Sequence, residues 1–343
     1  MRKGKLHDTE RHAVLAAVFS KDDTKVDQSN VGAYRTKTVR AGEFLYIACY
    51  PLVPANIRRS QEERLAELKA SGELKKGKLR VKWNRHNNAR RTWKFEQLVH
   101  ANFFPGDLHV CCTYEREDWD ADRSQIVYRD RDDAKRDIRN YLKRVRRLLK
   151  RHGCDMSQFR WIVCTVTKES AKEAVNPRPD THHHHLLMHG VPEELRSEVE
   201  QMWELGTCNA DRLQDDRNTG VARMAGYIAR QEGSANGERT GEKSYSPSRN
   251  IIRPEEKVSD AKVSRRRVSL IAADVRANAR EIFEKCWPGY RLSEEPEVLT
   301  SEFVAGAYIY ARLRVETAKG GVRYGQGKSE LVRRARDLKG AVL

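Results

Sequence analysis

Four consecutive histidines, His182 to His185, run into Leu186-Leu187-Met188-His189-Gly190 and sit between Pro179 and Pro192. Proline lacks an N–H and fixes φ, so it punctuates helices and strands alike. A short apolar run between such breakers fits a buried strand better than a helix. Side chains alternate along a strand, which puts His183 and His185 on one face and His182 and His184 on the other. Two imidazoles two positions apart can hold one divalent cation from one side and leave its other positions open. The segment therefore predicts a strand and places a candidate metal site on it.

Other runs supply the rest of an architecture. Phe44 to Tyr50, Asp107 to Tyr114 and Arg160 to Thr167 have strand character. From Asp130 to His152, Ala134, Ile138, Tyr141, Leu142, Val145, Leu148 and Leu149 form one helical stripe, with Gly153 as a stop. Residues 56–72 predict a charged helix, 75–91 a strongly basic segment, and Trp93 to Asn102 a short helix. Further helices are expected over Pro192–Trp203 and Gly220–Gln231. The order strand, helix, strand, strand, helix predicts an α+β fold, with helices on one face of an antiparallel sheet. Residues 1–30 are polar and expected to be poorly ordered, and 232–262 has the composition of a linker or mobile insertion. Val268–Lys285 and Thr300–Val315 are helical in pattern, and a basic, glycine-bearing tail begins at Lys319.

The charge balance narrows the partners. Lys and Arg number 66 against 49 acids, a net charge of +17, which attracts polyanions. Along the helix 130–152, Arg139, Lys143, Arg146, Arg147 and Lys150 are candidate DNA-backbone contacts, the alternative being a solvated face. No apolar run approaches the roughly 18–20 residues of a membrane span. Met1-Arg2-Lys3-Gly4-Lys5 leads into no apolar stretch of a secretory signal. Seven cysteines without a C-x-x-C argue against a disulfide framework or a cysteine zinc site, and a cytoplasmic protein is expected.

A second chemical group lies downstream. Val221, Met224, Ala225 and Ile228 share one apolar helix face, and Tyr227 lies at its edge, where the ring can pack while the hydroxyl reaches a cleft. Arg230 is a surface neighbour of Tyr227. A phenol with a pKa near 10 is a poor nucleophile at neutral pH. Its attack on a phosphodiester needs a metal that neutralises the phosphate and an adjacent cation. The plainer alternatives are a core tyrosine, and a surface histidine run or a zinc pair of His185 with His189.

Together these segments resemble a known family. His183-His184-His185-Leu186-Leu187 resembles the H-hydrophobe-H-L-L metal motif of the HUH endonucleases, in particular rolling-circle replication initiators of the bacterial and phage replication-associated type. Tyr227-Ile228-Ala229-Arg230 resembles their Tyr-x-x-Lys nucleophile motif. Leu108 to Tyr114 resembles their first motif, F-x-L-T-Y, through Thr113-Tyr114. Asn102-Phe103-Phe104 with Asp107, and Trp203 to Gly206, are similar to segments of the same members, so the resemblance spans about 92–231. It implies a ferredoxin-like or RRM-like antiparallel sheet with the two histidines on a central strand. It also implies Mg²⁺ or Mn²⁺ at the scissile phosphate of single-stranded origin DNA, a covalent 5′-phosphotyrosine and a released 3′-OH primer. Carried over, His183 and His185 are metal ligands, Glu169 is the third with Glu173 behind it, Tyr227 is the nucleophile and Arg230 stands for the lysine.

The implied organisation is an N-terminal basic region with a strand and helix at 1–90 and the nicking domain at 91–231. A linker follows at 232–262, then a helical C-terminal region with a basic tail at 263–343. The implied partners are single-stranded or origin DNA and a host replication helicase or polymerase. Three departures matter. His184 replaces an aliphatic, which leaves a second register on His182 and His184, although Leu186-Leu187 favours the first. Arg230 presents a planar fork in place of a point charge. Gln231 leaves a single tyrosine. A conjugative relaxase is the rival with the same chemistry, since His183, His185 and His189 match H-x-H-x-x-x-H. A non-catalytic nucleic-acid-binding regulator and a structural zinc protein are the rivals from other classes.

Overall fold

The computed structural model describes residues 13–19, 28–75, 77–115, 119–120, 125–126, 130–168, 181–216, 218–235, 245–301 and 304–316. A helical segment at 13–18 (α1) precedes the hairpin β1 (Ala33–Ala41) and β2 (Phe44–Leu52). Its two-residue turn begins at Gly42, with φ 58°, where a Cβ would lie 2.4 Å from the His100 carbonyl oxygen, so only glycine fits. Helices α2 (Ala55–Ala70) and α3 (Gly77–Asn102) follow, then β3 (Leu108–Tyr114) and a small ribbon of β4 (Trp119–Asp120) and β5 (Gln125–Ile126). Next come α4 (Arg131–Arg151), β6 (Arg160–Lys168), β7 (Thr181–His189), α5 (Arg196–Gln201), β8 (Gly206–Arg212) and α6 (Ala222–Ala235). The chain ends its described course with β9 (Ser246–Pro247), β10 (Glu255–Ser259), α7 (Arg265–Ala273), α8 (Val275–Cys286), β11 (Tyr290–Leu292), β12 (Glu297–Ser301) and β13 (Val304–Val315).

These elements form an α+β architecture around two antiparallel sheets. The histidine-bearing sheet has the order β8-β3-β7-β6-β9, with β7 at its centre. The other has the order β10-β1-β2-β13-β11, with β12 also paired to β13. Strands from both sides of the expected 91–231 domain thus join in one sheet. Its faces are covered by α7 and α8 on one side and by α1, α2 and α3 on the other. Helices also cover both faces of the histidine-bearing sheet, where one face was expected. Helices α4 and α5 pack on Leu186 and Met188, while α3 and α6 pack on Leu187 and Ile162.

Several local expectations need correction. Thr300–Val315 is not a helix but strands β12 and β13, and β13 is buried from Val304 through Leu313. A strand covered on both faces loses its period-two signature and mimics a buried helix. Within the expected linker, β9 extends the histidine sheet along β6 and β10 pairs with β1. In the polar amino-terminal stretch, Leu15 and Val18 of α1 are core residues. From Gly77 onward, the basic segment and the short helix expected after it are one continuous helix, α3. Strand β8, Gly206-Thr-Cys-Asn-Ala-Asp-Arg212, carries no apolar alternation that would announce it. The expected basic tail lies outside the described residues. No helix among the described residues is long and apolar enough to cross a membrane.

Candidate active site

The pleat of β7 sorts the histidines. His183, His185 and Leu187 point to the α3/α6 face, while His184, Leu186 and Met188 point to the α4/α5 face. Leu186 and Leu187 are both fully packed, one in each core, so the strand is covered on both faces at this point. His184 is 0% exposed, with Nδ1 3.0 Å from Thr165 Oγ1 and Nε2 3.1 Å from Tyr114 Oη. The Tyr114 hydroxyl donates to Asp137 at 3.4 Å, so its oxygen accepts from His184 Nε2–H, and Nδ1 accepts from Thr165. Burial pushes the His184 pKa down to about 3 and keeps it neutral. His182 shares this face and meets Thr167 Oγ1 at 3.1 Å. The alternative register on His182 and His184 therefore has His184 committed at both ring nitrogens to the core.

On the other face the candidate groups converge. The rings of His183 and His185 lie 5.1 Å apart between centroids, and the Tyr227 ring lies 5.9 Å from His185. Helix α6 is held across this face by Val221, Ala222, Ala225 and Ile228, all buried against α3 and the sheet. That anchoring leaves Tyr227 at the helix edge, 45% exposed, as the helical spacing predicts. Arg230 lies on α6 one turn beyond Tyr227, and its side chain is outside the described residues. Glu169 and Glu173 also lie outside them.

His109, on β3, belongs to this cluster although no motif pointed to it. Its Nε2 lies 3.1 Å from His185 Nδ1, and the two rings are nearly parallel, 13° apart. Burial lowers the His109 pKa, and the charge of Asp211 opposes that effect. Around it, Cys111 and Thr113 of β3 pair with Asn209 and Thr207 of β8, forming a polar floor whose Thr207, Asn209 and Asp211 are exposed. The alternation of His109, Cys111 and Thr113 is visible in the sequence, but which face they share with the histidines depends on the β3–β7 register.

The remaining candidates are placed elsewhere. His189 is engaged by Asp107, with Nδ1 2.8 and 2.9 Å from its two carboxylate oxygens, and that carboxylate also accepts from the Phe104 N–H. Arg139, Lys143, Arg146, Arg147 and Lys150 are all exposed on α4. That helix covers the face opposite the His183/His185/Tyr227 cluster, so the structure does not bring the two together.

As metal donors, His183 and His185 offer two imidazoles from one side of the sheet. Among the described residues no three His, Cys, Asp or Glu side chains are arranged to hold a metal ion. The donor chemistry fits a transition ion such as Mn²⁺ better than Mg²⁺, which prefers oxygen ligands. No family model, curated protein or solved structure matches this chain.

Proposed function

We propose that the protein is a metal-dependent HUH-type endonuclease that nicks and rejoins single-stranded DNA to initiate rolling-circle replication. The observation that carries this reading is the convergence on one sheet face of His183, His185 and the exposed ring of Tyr227. The Tyr227 hydroxyl oxygen attacks phosphorus, an Oη–P bond forms and the P–O3′ bond breaks. The 5′-phosphate stays on the tyrosine. The phenol proton leaves to solvent and the departing 3′ oxygen takes one up. Held by His183 and His185, with Glu169 as the proposed third ligand, Mn²⁺ or Mg²⁺ would supply Lewis-acid neutralisation of the phosphate charge. Arg230 provides a second positive charge on the nucleophile's helix. The polar floor of β3 and β8 gives the strand hydrogen-bonding partners beside the cleavage point, and the +17 charge draws DNA to the protein.

With a single tyrosine, resealing a circle calls on a second protomer or another nucleophile. The relaxase alternative loses support because His189 lies six positions along β7 from His183, about 20 Å, too far for the two to share one ion. Host helicase or polymerase partners follow from the replication role. The test is incubation with single-stranded origin DNA and Mn²⁺. A covalent adduct is expected, and it disappears in Tyr227→Phe while DNA binding is kept. An adduct that survives in Tyr227→Phe places the nucleophile elsewhere, and tight binding with no adduct supports the regulator.

A further inference from the structure

We propose that His109 is a positioning residue that fixes the tautomer of His185, so that the His185 Nε2 carries the lone pair. What that lone pair serves rests on the nicking reading above; the tautomer itself does not.

Leu187 is the cross-strand partner of His109, and His185 lies two positions along β7, within diagonal reach on the same face. His109 Nε2 and His185 Nδ1 are 3.1 Å apart. Between two neutral imidazoles only one proton occupies that gap, so the tautomer of one ring dictates that of the other. Asp211 chooses between the two arrangements. It stands directly opposite His109 in the β3–β8 register and on the same face, and its charge acts on the His109 ring. A carboxylate there favours a proton on His109 Nδ1, the nitrogen that does not meet His185. His109 Nε2 then accepts, His185 donates through Nδ1–H, and Nε2 keeps its electron pair. This arrangement opposes the Nε2–H form that an imidazole in water prefers. A hydrogen bond to the distal nitrogen is also how proteins orient a histidine toward a cation.

The tautomer can be read directly in the full chain without metal or DNA, using ¹⁵N-histidine and long-range ¹H–¹⁵N correlation. The His185 signals are assigned by their loss in His185→Gln. Wild type is expected as Nδ1–H, His109→Phe as Nε2–H, and His109→Gln as Nδ1–H again, because the amide oxygen accepts the same bond. A wild-type Nε2–H form, or a tautomer unmoved by His109→Phe, overturns the proposal. Should the Phe variant not fold, Asp211→Asn substitutes, with a shift toward Nε2–H expected and no shift counting against. Titration with Mn²⁺ alone, followed by electron paramagnetic resonance, is the second readout. His109→Phe should weaken binding about 10–100-fold and Gln should recover most of it. If Gln restores the tautomer but binds Mn²⁺ as poorly as Phe, His109 is itself a ligand and the positioning role is overturned. If wild type binds no Mn²⁺ while the tautomer pattern holds, the metal reading falls and the role of His109 stands.

Discussion

His184 and His185 are neighbours in the chain, yet the pleat sends them to opposite faces of the sheet and their chemistry diverges accordingly. His184 completes a buried chain from Thr165 through its ring to Tyr114 and Asp137, with Trp203 edge-on at 5.7 Å. Truncating it removes ring volume and takes one hydrogen-bond partner from each of the Thr165 and Tyr114 hydroxyls. His184→Ala should therefore lose about 2–5 kcal/mol of stability in urea unfolding. His183→Ala, on the partly exposed side, should stay within about 1 kcal/mol of wild type and lose the DNA adduct. A stable His184→Ala protein that no longer binds Mn²⁺ would reverse these assignments. Strand alternation alone already put the two histidines on opposite faces, but it left two registers for the metal pair, which the burial of His184 now distinguishes. It could not reveal His109, whose face is defined only by a strand 76 positions away.

Helix α4 was legible from end to end. Its stripe of seven buried residues is the one read from the spacing, and Asp130 caps it by accepting from the Asp132 and Asp133 N–H groups at 2.8 Å. Strand β13 was not legible, since burial on both faces erased the alternation that distinguishes strand from helix. On the proposed nicking reading, the position of α4 sets its candidate DNA contacts apart from the cluster around Tyr227. If its outer stripe contacts phosphates, replacing Arg146, Arg147 and Lys150 with Gln should lower the slope of log K against log salt by about 2, at about 0.7 per lost contact on single strands. Cleavage at saturating DNA should not change, because the stripe lies on the far face of the sheet from Tyr227. An unchanged slope would make the stripe a solvated surface. Helix α6 offers the reverse test. Gly220, just before it, has φ 55°, and an added Cβ would lie 2.8 Å from the Phe44 ring. Gly220→Ala should cost about 1–3 kcal/mol and displace the start of α6. The adduct yield should then fall more than DNA affinity, and equal losses would indicate general destabilisation.

At the scale of the whole molecule, the sheet formed by the two ends of the described chain is tied to the histidine-bearing sheet through a partly exposed ion-pair cluster and a buried histidine. Pairs such as Cys49 with Ile309 join segments some 260 residues apart, a distance over which a single sequence carries no local signal, so this sheet was not legible. Arg314 of β13 meets Glu43 at 3.1 Å and Asp215, before α6, at 2.9 Å. His100 of α3 stacks on Phe44 at 3.9 Å, accepts from the Tyr46 hydroxyl at Nδ1 (2.7 Å) and donates from Nε2 to the Thr219 carbonyl (2.9 Å). The carbonyl fixes the ring proton on Nε2, and the Tyr46 hydroxyl donating to Nδ1 requires the ring to be neutral. Burial first, with Arg312 and Arg314 adding to it against the Thr219 hydrogen bond, lowers its pKa to about 3. The unfolded chain titrates near 6.5, so between about 6.5 and 3 the unfolded state binds the extra proton. Stability is then complete above about pH 6.5 and is lost as pH falls toward 3, with a slope approaching about 1.4 kcal/mol per pH unit for this one group. His86, lowered to about 4 chiefly by burial, adds in the same direction over 6.5 to 4. In His100→Gln the amide can keep both hydrogen bonds without titrating. Urea unfolding at pH 6.5, 6.0, 5.5 and 5.0 should show its stability declining less steeply than wild type, by up to about 1.4 kcal/mol per pH unit at the acid end. Parallel pH profiles would mean that His100 is protonated in the folded protein, which the Thr219 carbonyl and the Tyr46 hydroxyl could accommodate only if the tyrosine stopped donating.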